Sequence, residues 1–234
     1  KLGPIYTRIG NPTTHILEHR IAKLEGSPCP LGDAHPCALA TSSGQAAQLQ
    51  ALLTICQAGD TIVAAGELYG GTYAQLKHTI PALGIKVKFV NILKLDEIAA
   101  AIDDDTKVFY CETTSNPSYS IPDFEAIAKI CSDKQVAFVV DNTFGMCGYT
   151  CRPIKFGANV VVASCTKWIG GHGTTIGGVI VDGCNFNWGV KKADGSPKYP
   201  RMSTPSAAYH GMNFWETFGP DGPFKVNMAF IFHA

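Results

Sequence analysis

The sequence predicts an α/β domain, with a mostly parallel sheet flanked by helices, and three observations carry that prediction. Short apolar runs rich in valine and isoleucine alternate with stretches of helical periodicity. The runs are apolar throughout, as strands buried on both faces are, rather than alternating like half-exposed hairpins. Three of them break off in polar residues, at Glu112, Asp141 and Ser164, and right-handed crossovers bring such ends to one edge of a sheet.

Taken in order, Asn11 and Pro12 read as the cap and first turn of a helix. Leu17, Ile21 and Leu24 recur along it at helical spacing, and Gly26 reads as its stop. The next segment, Cys29-Pro-Leu-Gly-Asp-Ala-His35-Pro-Cys37, holds three possible metal ligands. Its spacing fits no common zinc pattern and a fourth ligand is missing, so it reads as a Pro-rich loop without metal. Residues 38–43 run into Gly44-Gln45, which opens a helix over 46–57. A strand at 61–65 leads to a glycine loop holding Tyr69, then a helix near 73–83, a strand at 86–90 and a short helix near 95–102. A strand over 108–111 ends at Glu112, and Pro122-Asp123 opens a helix that reaches Cys131. Strands at 136–140 and 160–163 end at Asp141 and Ser164, and one more strand covers 176–181. Residues 185–206, rich in Gly, Pro, Lys and Asn, read as an irregular excursion or a domain boundary.

Composition narrows the function classes. The 234 residues balance 19 Lys+Arg against 19 Asp+Glu, so no basic field argues for nucleic acid or an anionic membrane. Charged residues make up 16%, against roughly 25% in an average domain. With 46% hydrophobic residues, that shortfall points to surface covered in an oligomer or by a larger parent chain. No apolar run reaches the ~20 residues of a membrane span, and no secretory signal opens the chain. Nine cysteines without a Cys-x-x-Cys pair argue against a disulfide framework and fit a reducing, cytoplasmic setting. The start at Lys1 and the stop inside an apolar segment at Ala234 suggest a fragment of a longer protein.

The chemistry gathers at Lys167. It follows an apolar strand and stands beside Ser164 and Thr166. Against a low-dielectric wall its charged form would be disfavoured, leaving a nucleophilic amine of the Schiff-base kind. Ser43-Gly44-Gln45 puts backbone N–H groups at a helix start, a natural phosphate site. The helix dipole contributes only ~1 kcal/mol there, so hydroxyls and an arginine worth ~1.5–3 kcal/mol per bond would have to add to it. Asp141, at the end of an apolar strand, calls for a cation, either Lys167 or a protonated ring nitrogen. Tyr69 can lay a flat face on such a ring. Gly170-Gly171-His172-Gly173 lacks the order of a P-loop, and His172 reads as a loop residue rather than a metal ligand. Jointly these groups describe a pyridoxal-phosphate site.

They fall within six motifs: Tyr6-Thr-Arg8-Ile-Gly-Asn11-Pro12-Thr13, Ser43-Gly44-Gln45-Ala46-Ala47, Leu68-Tyr69-Gly70-Gly71-Thr72, Glu112-Thr-Thr-Ser-Asn116-Pro117, Val140-Asp141-Asn142-Thr143 and Ser164-Cys-Thr166-Lys167. In this order they resemble the Cys/Met-metabolism class of fold type I pyridoxal-phosphate enzymes. That class includes cystathionine γ-synthase, methionine γ-lyase and O-acetylhomoserine sulfhydrylase. The resemblance implies a large domain of the pyridoxal-phosphate transferase kind, aspartate aminotransferase type I. It makes residues 1–37 a segment that contributes to a partner subunit's site, 38–220 the cofactor domain, and 221–234 the truncated start of a later region. Lys167 matches the Schiff-base lysine, Asp141 the partner of the ring nitrogen, and Tyr69 the stacking tyrosine that assists proton transfer. Gly44, Gln45, Ser164 and Thr166 match the phosphate cup, and Asn116 the residue near the cofactor's phenolic oxygen, with Glu112 and Thr143 in support. Tyr6 and Arg8 match the pair that reaches a neighbouring subunit's cofactor, implying a homodimer or homotetramer with shared active sites.

Within the class, Trp168-Ile-Gly-Gly-His-Gly173, Gln45, Gly71, Pro205-Ser-Ala-Ala-Tyr209-His210-Gly211 and Phe214-Trp215-Glu216 are similar to sulfhydrylases. The implied reaction is a transfer that replaces the acetate of O-acetylhomoserine with sulfide to give homocysteine, in methionine and cysteine biosynthesis. Cystathionine γ-synthase or methionine γ-lyase activity is the alternative within the class. An inactive fragment or pseudo-enzyme acting as a binding protein is the alternative outside it, since no residue here matches the arginine that holds the substrate carboxylate.

Overall fold

A computed structural model of the chain describes residues 6–7, 10–29 and 37–218. Arg8, His35 and the segment 221–234 lie outside the described residues. Asn11 caps the first helix as its sequence suggests. Its side-chain oxygen accepts from Thr13 N at 2.9 Å, Pro12 fills the first turn, and α1 (Pro12–Glu25) ends where Gly26 turns to φ 89°.

Seven strands follow: β1 (Ala38–Thr41), β2 (Thr61–Ala65), β3 (Lys86–Val90), β4 (Thr106–Glu112), β5 (Ala137–Asp141), β6 (Val160–Ser164) and β7 (Gly178–Asp182). They form one sheet in the order β1-β7-β6-β5-β4-β2-β3. The pairs from β3 to β6 are parallel, while β7 runs antiparallel to both β6 and β1. All of β2, β4 and β7 is buried, as is β5 up to Asp141 and β6 up to Ser164. Each valine or isoleucine so enclosed contributes about 1.5–3 kcal/mol relative to exposure.

Helices cover this sheet. α2 (Gly44–Ile55) packs on β6 and β7, α5 (Leu95–Ala101) on β3, and α6 (Phe124–Asp133) on β5. Between β2 and β3, α3 (Gly70–Ala74) passes through a π-helical turn, Gln75–Thr79, into α4 (Ile80–Ala82). Among the described residues no helix is long and apolar enough to cross a membrane.

Two expectations need correction. The seventh strand begins at Gly178 rather than 176, and Ile176 is 76% exposed. Gly177 is irregular instead, its N–H donating to Thr166 Oγ1 at 3.1 Å. Of the two readings of residues 185–206, the irregular excursion holds and the domain boundary does not. These residues include α7 (Pro200–Ser203), and Trp188, Tyr199 and Met202 are buried, with the Trp188 and Tyr199 rings 5.3 Å apart edge to face. The Tyr199 hydroxyl accepts from Ala137 N at 3.1 Å and lies 2.9 Å from Gln135 O and 3.0 Å from Lys107 O. It therefore ties β4 and β5 together at the edge opposite their carboxyl ends. After this segment the described chain closes with α8 (Phe214–Phe218).

Tyr199→Phe leaves the Ala137 N–H buried without its acceptor, a loss of about 1–3 kcal/mol. Urea unfolding of the variant checks this, as a lower midpoint at an unchanged slope.

Candidate active site

The parallel strands β4, β5 and β6 lie side by side, and their carboxyl ends supply the floor of a cavity of about 760 Å³. Glu112 stands opposite Asp141 in the register of β4 and β5, and Asp141 opposite Val162 of β6. Ten of the twelve residues singled out in the sequence line this one cavity: Gly44, Gln45, Tyr69, Glu112, Asn116, Asp141, Thr143, Ser164, Thr166 and Lys167. Tyr6 does not line it and is 58% exposed. Arg8 is the twelfth and is not described.

Glu112 is buried, and both its oxygens serve loops. Oε1 accepts from Tyr69 N at 2.7 Å and Oε2 from Asn116 N at 3.2 Å, so one carboxyl group fixes two walls. Burial, with the Asp141 charge beside it, pushes Glu112 up to about 8. Asp141 is likewise raised by burial, against the two bonds its Oδ1 accepts from Thr143 N (2.9 Å) and Thr143 Oγ1 (2.6 Å). Thr143 Oγ1 also accepts from Ser164 N at 2.8 Å, joining the ends of β5 and β6. Among the described residues no ion pair joins Asp141 to Lys167 or to any other cation. The structural ion pair that would have explained both residues is absent there.

Lys167 follows β6 in a π-helical turn, Cys165–Ile169, and departs from helical geometry there (φ −89°, ψ −113°). Its side chain is exposed, so the low-dielectric wall expected of it is not provided by the described residues. The strand behind it is buried, but the turn carries the side chain past the sheet edge into an open cavity. Trp168, 51% exposed, meets Phe144 edge to face at 6.2 Å on the same rim. Tyr69 is 49% exposed to the cavity.

The start of α2 closes one end of the cavity. Ser43 caps it through Oγ, which accepts from Ala46 N at 3.1 Å. Gly44 is required by proximity, since a Cβ there would sit 2.6 Å from Ser164 Cβ and 2.9 Å from its Cα. The helix N-terminus thus rests directly on the end of β6, with the Gln45 amide donating to Thr72 Oγ1 at 3.3 Å. Thr166 lines the same end, yet its hydroxyl is engaged by Gly177, accepting from its N–H at 3.1 Å and lying 3.3 Å from its carbonyl oxygen.

Sequence reasoning missed the supports behind the floor. Asn142, fully buried, donates to Glu25 Oε2 at 2.7 Å and Cys151 O at 3.0 Å, and accepts from Thr113 Oγ1. Burial pushes Glu25 up to about 7. Tyr110, Thr72 and Gln48 form a second buried set, with Gln48 Oε1 accepting from Tyr110 Oη at 2.7 Å and Thr72 Oγ1 at 3.0 Å. Asn142 beside Asp141 was the available signal; its partners at positions 25 and 113 left none.

Residues 1–218 match the family model described as Cys/Met metabolism PLP-dependent enzyme. The sulfhydrylase FUB7 of Fusarium oxysporum f. sp. lycopersici is 54% identical over 220 residues, covering 94% of this chain and 48% of that protein. The homocysteine synthase of Schizosaccharomyces pombe is 49% identical over 230 residues, 98% of this chain and 49% of its own length. The chain therefore spans about half the length of these relatives. Among solved structures, an O-acetylhomoserine sulfhydrylase of Wolinella succinogenes matches with a TM-score of 0.73 at 32% identity, over 97% of this chain and 57% of that one. The match to the family model and the identity to curated relatives agree with the geometry of the cavity, and this chain belongs to the Cys/Met-metabolism family of pyridoxal-phosphate-dependent enzymes.

Proposed function

We propose that the full-length protein replaces the acetate of O-acetyl-L-homoserine with sulfide, releasing homocysteine and acetate. The observation that carries this reading is Asp141, a carboxyl group on the cavity floor with its charge disfavoured by burial and without a cation from the described chain. Such a group suits a cationic N–H, which a protonated pyridine nitrogen offers. The cleft around it fits the rest of pyridoxal phosphate. A helix N-terminus seated against Ser164 suits the phosphate, a tyrosine face suits the ring, and a lysine stands on the rim.

In this reading Asp141 holds the ring nitrogen and Lys167 the aldehyde end. The N–H groups at Gly44 and Gln45, with Ser164 and Thr166, hold the phosphate, and Asn116 lies toward the phenolic oxygen. When bound, pyridoxal phosphate supplies an electron sink for protons leaving the substrate's carbon chain. Lys167 moves the proton from Cα, and Tyr69 is the second proton carrier. Glu112 keeps Tyr69 and Asn116 aimed, and Thr143 keeps Asp141 in line with Ser164. Tyr6 and Arg8 serve the cofactor of a neighbouring subunit in a homodimer or homotetramer, and the protein works in the cytoplasm. Residues 38–220 form the cofactor domain, preceded by a segment over 1–37 that reaches the partner, with 221–234 opening a further region. The names of the relatives, a sulfhydrylase and a homocysteine synthase, support sulfide as the nucleophile.

Lys167→Ala in the full-length protein should abolish the visible absorbance of bound cofactor and slow homocysteine formation by about 10²–10⁴-fold. An unchanged spectrum would refute the assignment of Lys167. Wild type that forms cystathionine from cysteine, and no homocysteine from sulfide, would favour the synthase reading instead.

The carboxyl groups predict a pH dependence in the cofactor-free protein. Glu112 and Glu25 are raised from 4.5 to about 8 and about 7, so folding favours their neutral forms. The stability they contribute is full below their unfolded value and is lost as the pH rises through the folded one. The urea midpoint should therefore fall between about pH 5 and pH 8. Glu112→Gln should flatten that slope, and added pyridoxal phosphate should restore part of the lost midpoint.

A further inference from the structure

At the sheet edge opposite the cavity, three cysteines come together that the proposed chemistry does not use. Cys37 immediately precedes β1 and Cys184 follows the end of β7 by two residues. Asp182 N donates to Cys37 O at 2.8 Å, continuing the antiparallel ladder to the point where the two thiols meet. Cys184 Sγ lies 3.4 Å from Cys37 Sγ, although 147 positions separate them in sequence. Cys29, buried with Cys37, interacts with the latter's thiol and lies 3.7 Å from Ser27 Oγ. Ser27 Oγ in turn donates to Asp182 O at 2.7 Å and approaches Cys184 Sγ at 4.0 Å. These contacts bind the end of α1, the start of β1 and the end of β7 into one cluster.

The geometry points to Cys37 and Cys184 as a modification site, a thiol pair that a peroxide converts to a disulfide. The sulfurs touch, and a shift of little more than an ångström brings them to the ~2.05 Å of an S–S bond. Cys184 is the less buried of the two and meets the oxidant first. It gives up its thiol proton and attacks one peroxide oxygen; the O–O bond breaks, leaving a sulfenic acid and one water. Cys37 sulfur then displaces the sulfenic hydroxyl, forming the S–S bond, and its own proton leaves with that hydroxyl as a second water. Two thiols lose two electrons and one hydrogen peroxide gains them. The contact with Cys184, with burial added, pushes the Cys37 thiol up to about 12, which argues against Cys37 as the first nucleophile.

The consequence falls on β1. It is an edge strand whose one partner in the sheet is β7, with Glu18 of α1 accepting from Ala40 N at 2.8 Å, and its other end leads into Ser43 and Gly44. A Cys37–Cys184 bond pins its far end and closes a long loop, which raises stability by constraining the unfolded chain. The inference is independent of the reaction proposed above.

The test is to treat the full-length protein with a small excess of hydrogen peroxide and map its peptides without reduction. A Cys37–Cys184 cross-link is expected, with a thiol titre lower by two, a raised thermal midpoint and recovery of both thiols on adding dithiothreitol. Cys184→Ala, at a partly exposed position, should abolish the link and the fall in titre. The proposal is overturned if both cysteines stay thiols or end as separate sulfinic acids. A link from Cys37 to Cys29, or one that forms only in urea, overturns it equally.

Discussion

Glu112 and Asp141 face one another across adjacent parallel strands, with no described cation between them. Two carboxyl groups so placed cannot both ionise cheaply, and burial makes each charge harder to hold. The cavity is built around that conflict. Glu112 spends both oxygens on backbone N–H groups, which turns a costly residue into the fixture for the Tyr69 and Asn116 loops. Asp141 is restrained by Thr143 at its own strand end and by the Tyr110 hydroxyl of β4, and it lines the cavity. One acid is structural and the other is left available because their hydrogen-bond partners differ, although their strand positions are equivalent.

Strand ends hold such groups only when the strands cannot slide past one another. The valines and isoleucines of β4 to β6 provide the burial, but polar ties set the register of the ends. Thr143 links β5 to β6 at the cavity edge, and Asn142 anchors the turn after Asp141 to Glu25 on α1. At the opposite edge Tyr199 fastens β4 to β5. The near contact of Gly44 with Ser164 then fixes how closely α2 approaches β6. Removing one of these ties moves a functional group by the amount its strand end is freed, which is why they matter beyond their few kcal/mol.

What could be read from the sequence follows from how local each signal is. The strands and the capped helix at Asn11 were legible because apolar runs and capping residues act over a few positions. The polar strand ends were legible too, since a carboxylate closing a run of valines is conspicuous. The part played by Tyr199 was not, because Ala137 and Tyr199 meet only through the fold and nothing in 185–206 is periodic. The seventh strand was placed two residues early for a similar reason. Ile176 looks like strand, but Gly177 N donates to Thr166 Oγ1 across the Lys167 loop, and that stretch stays irregular. Lys167 itself was identified by position, while its surroundings were misjudged: a buried strand does not guarantee a buried successor.

That misjudgement carries the most physical content. A lysine amine gains reactivity when its charge is disfavoured, and Lys167 is exposed to solvent here. The rim around Lys167 also bears Trp168 and Phe144, large apolar side chains that are partly open to solvent here. Exposed apolar surface concentrated beside a polar cleft is the kind of surface that ligand binding or association covers. In the proposed subunit arrangement the cover would come from a second chain and from the remainder of the protein. The same contact would then bury the apolar rim and remove water from Lys167. Folding places the amine and the acid at one cavity, and in that proposed arrangement assembly would supply the desolvation of the amine.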